Sequence, residues 1–396
     1  MVRLVSFKLT IKGVLQEVEL IRSSGLVFFS IFMGSIFLFI SNLFLSRYFG
    51  PEIFGNYKTI VNLFLFLPSL IEFGAGATLT KYIAEFGKDK IRINSLIKWF
   101  LKFRFLTYLI LLLAIFFLKD QMAFYFLKNV SLNYLFLAGL LLTGMVFFEI
   151  SKSIALGYQN FKLYSYSQFI TVGSAGLFTI ILGYYFGVFY AIIGWALSYF
   201  VGNLPLIWPF INRKFFLMNT ELNVKKIFFS YSLPIYLMII PEFLGTAIIP
   251  VLSLFFSQKL IGYYSFAWIF YMGVLLIPNA LSSVLFPKVS ELNGKNNLKK
   301  AKGILKKIFI IYTPIVIVGI IGSLLFSSFV VKIIAPDYIP GLIIFKTLIC
   351  FGLLTGYLLI YRSYLSGLAE FKKLTLTVIV QTVALLIVSF IVMIGL

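Results

Sequence analysis

The sequence predicts an all-α, polytopic membrane protein of two parallel-repeat helical lobes: three observations predict the membrane-spanning helices, and an internal repeat predicts the lobes. Of 396 residues, 61% are hydrophobic and only 12% charged, with a mean hydropathy of +1.03, beyond what water-soluble domains show. The apolar residues gather in runs of about 20, the length a helix needs to cross a hydrocarbon core. The basic residues fall in alternate connections, the pattern that positive charge retained on one side of a membrane leaves behind.

Residues 1–22 have no uninterrupted apolar core and no small-residue cleavage site, so they read as an interfacial lead-in helix and not a removed signal peptide. Eleven spans follow. The first two, Ser24 to Ser46 and Ile53 to Phe73, are parted by Gly50-Pro51. A basic stretch from Lys81 to Arg104 precedes the third, Leu101 to Leu118, and the fourth runs Leu132 to Lys152. Leu163 to Phe186 and Val188 to Phe210 form the fifth and sixth, separated by Gly187. Ile227 to Phe255, the seventh, holds Pro234, Pro241 and Pro250. The remaining spans are Leu260 to Phe286, Ile304 to Val331, Ile339 to Leu365 and Leu374 to Ile394.

With the N-terminus inside, 27 of the 34 Lys and Arg fall on the inner side. Five (Arg47, Lys119, Lys128, Lys259, Lys332) fall outside, and Lys58 and Lys346 lie within spans. One missed or invented helix would scramble that alternation. The expected location is therefore the cytoplasmic membrane, multi-pass, with a cytoplasmic N-terminus. A net charge of +21 then suits loops facing anionic lipid. No basic stretch is long or soluble enough to form a nucleic-acid-binding domain.

Absence of His and a single Cys, Cys350, exclude disulfides, His/Cys metal sites and His-dependent nucleophiles. Short outer connections offer little beyond Glu52, Asp120 and Asp337, a poor basis for a membrane glycosyltransferase or polymerase. No cofactor is expected.

An internal repeat sets the architecture. Gly55-Asn56-Tyr57 and Lys81 recur 207 positions later as Gly262-Tyr263-Tyr264 and Lys288, and Gly157, Phe161 and Lys162 recur 210 positions later as Gly367, Phe371 and Lys372. A shift of six helices keeps their direction, so the halves are parallel repeats, the arrangement of transporters that bind substrate between lobes. The lobes are 1–212, with six spans, and 213–396, with five.

Ionisable groups within spans are costly and default to a lumen or a partner. Arg47, Lys58 and Lys346 fall in the outer half of the bilayer, Lys152 and Arg362 near the inner face. An anionic headgroup crossing the membrane needs cations at each end of its path, which makes these five the candidate substrate-binding residues, with snorkelling of long side chains as the competing account. Lys98, Lys102 and Arg104 read as a positive-inside anchor. Of the acids, Glu149 pairs with Lys152 at i, i+3. Glu72, fourteen residues after Lys58, shares its helix and faces the same lumen, about 20 Å away. Glu242 follows Pro241, where carbonyls freed by a kink could join its carboxylate around a proton or Na⁺. Glu242 and Glu72 are the candidate ion-coupling residues, a hydrogen-bonded carboxyl at a kink being the alternative for Glu242.

The stretch Phe49-Gly50-Pro51-Glu52-Ile53-Phe54-Gly55-Asn56-Tyr57, with Glu72-Phe73-Gly74 and Lys81-Tyr82-Ile83-Ala84-Glu85 beyond it, resembles the signature of polysaccharide-unit (O-antigen-type) flippases. These belong to the multidrug/oligosaccharidyl-lipid/polysaccharide exporter superfamily. Leu156-Gly157-Tyr158-Gln159-Asn160-Phe161-Lys162 and Leu285-Phe286-Pro287-Lys288-Val289-Ser290-Glu291 match as well. The resemblance implies movement of a polyprenyl-diphosphate-linked oligosaccharide, such as a lipopolysaccharide or other polysaccharide repeat unit, from the inner to the outer leaflet by alternating access. Implied partners are that lipid-linked substrate, membrane lipids, H⁺ or Na⁺ as coupling ion, and a polysaccharide polymerase or glycosyltransferases. Ion-coupled relatives place an acid in the seventh helix, where Glu242 falls. Members usually carry twelve to fourteen spans, so with eleven the chain either stops early or closes its second lobe differently. The alternative on the same fold is a cation-coupled exporter of small drugs or metabolites.

Overall fold

A computed structural model describes residues 2–127, 133–211 and 222–396, and all described regular structure is helical. Ten helices among these residues are long and apolar enough to cross a membrane. One of them, Phe29–Leu70, holds both of the first two expected spans. It belongs to α1 (Val2–Leu70), which is interrupted at Gly50, where φ is 70° and ψ 173°. Only glycine adopts that conformation cheaply, and Pro51 then restarts a helix at the first position, where its missing N–H costs nothing. The interruption reverses the chain. Asn42 and Lys58, eight residues on either side of Gly50, are joined by a hydrogen bond of 2.5 Å, whereas sixteen residues of straight helix would hold them about 24 Å apart.

The order then continues through α2 (Ala75–Phe86), α3 (Lys90–Phe117), α4 (Asn133–Gly157), α5 (Phe161–Phe186) and α6 (Val188–Ile211). After these come α7 (Leu233–Thr246), α8 (Ile248–Phe255), α9 (Gln258–Val274), α10 (Leu276–Gly294), α11 (Leu298–Ile334), α12 (Leu342–Gly367) and α13 (Phe371–Ile394). Prolines stand beside several of the interruptions. Pro234 follows a π-turn at Phe228–Ser232, Pro250 follows the interruption at Ala247 that parts α7 from α8, and Pro278 lies just beyond the one at Leu275 that parts α9 from α10. Each removes an N–H from the i→i−4 ladder one turn upstream. The expected seventh and eighth spans are thus each two helices.

The helices form two compact units. One comprises Met1–Ser41, Leu70–Phe116 and Phe136–Ile235; the other comprises Asn42–Ser69, Phe117–Leu135 and Tyr236–Leu396. The hairpin arm carrying Lys58 therefore packs with the C-terminal helices. Its close approach to α9 is made by glycine: a Cβ on Gly55 would overlap the Gln258 carbonyl, and one on Gly262 would overlap the Pro51 carbonyl. Small residues that let helix backbones touch are a main source of cohesion in lipid, where apolar burial gives no driving force. Thr59 reinforces the crossing by donating to Gln258 Oε1 at 3.1 Å.

The repeat is visible in the backbone itself. After α4, Gln159 has φ 56° and after α12 Ala369 has φ 60°. Around the first turn Gln159 N–H donates to Leu156 and Asn160 N–H to Ala155; around the second Ala369 donates to Ser366 and Glu370 to Leu365, all at 2.9–3.0 Å and all displaced by 210 positions. Asp89 caps α3 through the Arg92 N–H at 3.1 Å, and Asn297 caps α11 through the Lys300 N–H at 3.2 Å, a displacement of 208. A Cβ on Gly157 would press on Ile83 and the Leu79 carbonyl, and one on Gly367 on Val289 and the Phe286 carbonyl, the two carbonyls lying 207 positions apart.

Candidate functional site

In the first unit, α1 and α2 meet at a break, 71–74, whose exposed backbone groups are met by side chains. Both carboxylate oxygens of Glu72 are used, accepting from Gly74 N–H at 2.9 Å and Gly76 N–H at 2.7 Å, so the acid caps the positive N-terminal end of α2. On the other side Arg104, only 1% exposed, donates to the Ile71 carbonyl at 2.7 Å. Ser232 donates to the Phe73 carbonyl at 2.8 Å. Phe73 and Gly74 both have positive φ. Two expectations change here. Glu72 does not continue the helix of Lys58 but lies past its end at Leu70, in the turn that Phe73 and Gly74 make with positive φ. Arg104 is no surface anchor but a buried brace on a helix C-terminus, for which the sequence offered no signal beyond a basic residue well inside α3.

Lys152, also in the first unit, pairs with Glu149 at 2.5 Å, as its spacing suggests. Its equivalent by the 210 offset is Arg362 in the second unit. The positions equivalent to Glu149 and Glu72 hold Leu359 and Asn279, so the acids around the first cation are not repeated in sequence around the second.

In the second unit, Arg362 borders a cavity of about 340 Å³. Its Nη2 donates to the Thr377 carbonyl at 2.9 Å. Arg362 sits near the C-terminal end of α12, and a helical side chain leans toward its own N-terminus, so the guanidinium is carried inward from the helix end. That direction runs against snorkelling. Trp268 and Tyr271 of α9 face the same cavity, their rings stacked 4.7 Å apart. Asn62, Thr246, Gln381 and Thr382 add to its polar lining, and no acid occurs among the described lining residues.

The other expected site residues fall in the second unit too. Lys58 is half-buried, bonded to Asn42 Oδ1, with its ammonium 5.5 Å and 5.7 Å from the Phe54 and Tyr57 ring centres. Lys346 is half-buried in the first turns of α12. Arg47 is exposed and donates to the Ile333 carbonyl at 3.4 Å, at the C-terminal end of α11, where a cation complements the helix dipole. Glu242 lies on α7 one turn before Gly245, and its side chain is outside the described residues. Lys81 of the signature places its ammonium 3.9 Å from the Tyr231 ring centre.

A family model described as "Polysaccharide biosynthesis protein" matches residues 20–293. The chain belongs to that family. An "Uncharacterized membrane protein MJ1375" of Methanocaldococcus jannaschii is 24% identical over 86% of this chain and 82% of its own length. A "Probable flippase AglR" of Haloferax volcanii is 30% identical over 22% of this chain and 18% of its own. Among solved structures, an inward-facing multidrug resistance MATE family transporter of the MOP superfamily superposes with TM-score 0.70 at 19% identity, covering 89% of this chain and 84% of that one. The lipid II flippase MurJ in an inward closed conformation gives 0.62 at 17% identity, over 95% and 87%. The fold is that of these polytopic transporters.

Proposed function

We propose that the protein is a flippase that moves a polyprenyl-diphosphate-linked oligosaccharide, a polysaccharide or O-antigen repeat unit, across the cytoplasmic membrane by alternating access. What supports this reading is the set of basic residues on membrane-length helices of the second unit, in a chain of a polysaccharide biosynthesis family. Lys58, Lys346 and Arg362 all lie on helices long enough to span, and the cavity bordered by Arg362 has no acid among its described lining residues. Cations held at bilayer depth are costly and suit a diphosphate headgroup. In this reading Arg47, Lys58 and Lys346 serve the diphosphate in the outer half of its path, and Lys152 and Arg362 near the inner face. The N-terminus is cytoplasmic, the lobes 1–212 and 213–396 rock against each other, and the prenyl chain stays in lipid. Glu242 and Glu72 are the proposed coupling residues for H⁺ or Na⁺, Glu72 by a protonation that would release the N–H groups it caps, and a polymerase or glycosyltransferases are the proposed partners.

The rival, a cation-coupled exporter of small drugs or metabolites, draws support from the likeness to the MATE transporter and from Glu72 and Glu149 in the first unit. Reconstitution into liposomes separates the two. The flippase reading expects a lipid-linked oligosaccharide placed in one leaflet to reach the other, and a lipophilic organic cation not to be moved. Transport of the cation alone would overturn it.

A further inference from the structure

The first unit holds an ion pair inside a span. Lys152 and Glu149 are 2.5 Å apart, yet their side chains keep 24% and 38% of their surface exposed, so the pair is made but not sealed. Charged and phenolic groups from three further elements act on it. Glu72 of the break at 71–74 and Tyr164 of α5 act electrostatically on Lys152, and Tyr164 and Tyr199 of α6 lie in the field of Glu149. The pair thus sits among the helices of its own unit. Glu72 is already committed, both oxygens accepting from the N–H groups of Gly74 and Gly76. Glu149 is committed to Lys152.

The repeat shows what that acid is not for. Arg362, the equivalent of Lys152, follows Leu359 at the same i, i+3 spacing. The joint beyond Arg362 has the same turn and the same glycine contact as the joint beyond Lys152. An acid is therefore not needed to build it. A carboxylate that the architecture can do without, bonded to a cation that an anionic headgroup would use, competes with that headgroup for the ammonium.

We propose that Glu149 is an exchangeable counter-ion that stands in for the substrate's phosphate. It holds Lys152 in the empty protein, swings to the hydroxyls of Tyr164 and Tyr199 when a diphosphate takes the ammonium, and returns when the headgroup leaves. The assignment rests on the flippase reading above, which gives Lys152 to the substrate and leaves Glu149 without a role. A cation inside a span is costly alone, so the acid keeps the empty site compensated. A displaced carboxylate is costly without donors, and phenol O–H groups supply them. Among the described residues neither phenol hydroxyl is held by another hydrogen bond. Return of the acid also helps to expel the headgroup, as a transporter that must release its cargo requires.

The test is binding of farnesyl diphosphate to the full-length protein in nanodiscs. Lys152→Met is expected to weaken it about tenfold, and Glu149→Gln to tighten it about fivefold, the worth of a part-exposed ion pair. Glu149→Asp, which keeps the charge but shortens the reach to Lys152, is expected to give a smaller gain of the same sign. Tyr164→Phe and Tyr199→Phe are expected to weaken binding in the wild-type background and to do nothing once Glu149 is replaced by Gln, because no displaced carboxylate then needs their hydroxyls. Failure of both Glu149 variants to bind more tightly would overturn the counter-ion and leave the flippase reading standing. Tyrosine variants without effect in the wild-type background, or equally effective in both, would overturn the swing. Wild-type protein that does not bind farnesyl diphosphate, or Lys152→Met that binds it as wild type does, would remove the role of Lys152 in the flippase reading and the counter-ion together.

Discussion

At the scale of single residues, the charges inside this chain divide by what they touch. Glu72 and Arg104 are spent on backbone, one on the N–H groups opening α2 and the other on a carbonyl closing α1. Replacing Glu72 with Ala should lower stability by about 1 kcal/mol, the usual effect of losing a cap. Arg104→Met, which leaves a buried carbonyl unmatched, should lower it by about 1–3 kcal/mol. Thermal melts in detergent measure both, and because the two residues hold one break their effects should not add. An Arg104 variant as stable as wild type would show that the brace is dispensable. None of this was legible beforehand: a basic residue in a span reads the same in sequence whether it faces lipid headgroups, a ligand or a carbonyl. The Glu149–Lys152 pair was legible, because i, i+3 spacing on a helix decides contact by itself.

Elements were read more securely than side chains. Hydropathy and charge alternation located the spans, since their length is imposed by the bilayer. What they missed are the interruptions at Ala247 and Leu275, inside the expected seventh and eighth spans, whereas the break at 71–74 falls at the expected end of the second. The family signature turns out to mark such joints: Gly55 the crossing with α9, Glu72 and Gly74 the break, Lys81 the contact with Tyr231. Gly55→Ala or Gly262→Ala should each destabilise by about 1–3 kcal/mol, since the added methyl meets backbone that has no rotamer to change; a neutral result in thermal melts would deny the close crossing. The opposite sign is expected at the repeat turns. Gln159 and Ala369 hold left-handed conformations that cost a non-glycine residue about 1–2 kcal/mol, so Gln159→Gly and Ala369→Gly should each raise the melting temperature. A drop at both would contradict the shared geometry of the two turns.

For the whole molecule, the repeat seen in two pairs of sequence landmarks extends to matched turns, caps and glycine contacts, which makes duplication the basis of the architecture. The copies have diverged in charge. The first keeps acids beside Lys152, and the second has Leu359 and Asn279 where those acids would stand and a cavity beside Arg362. That asymmetry was latent in the sequence but needed the structure to pick the register, because a single offset aligns residues that share a role only once the turns are seen to match. In the proposed function, that asymmetry supports an anionic substrate. The most direct test is the rate at which a polyprenyl-diphosphate-linked oligosaccharide crosses between leaflets of proteoliposomes containing wild-type protein or the Lys58→Met, Lys346→Met double variant. The account predicts a loss of at least about tenfold, 1.4 kcal/mol of barrier, with folding retained; a double variant that flips the lipid at the wild-type rate would contradict it.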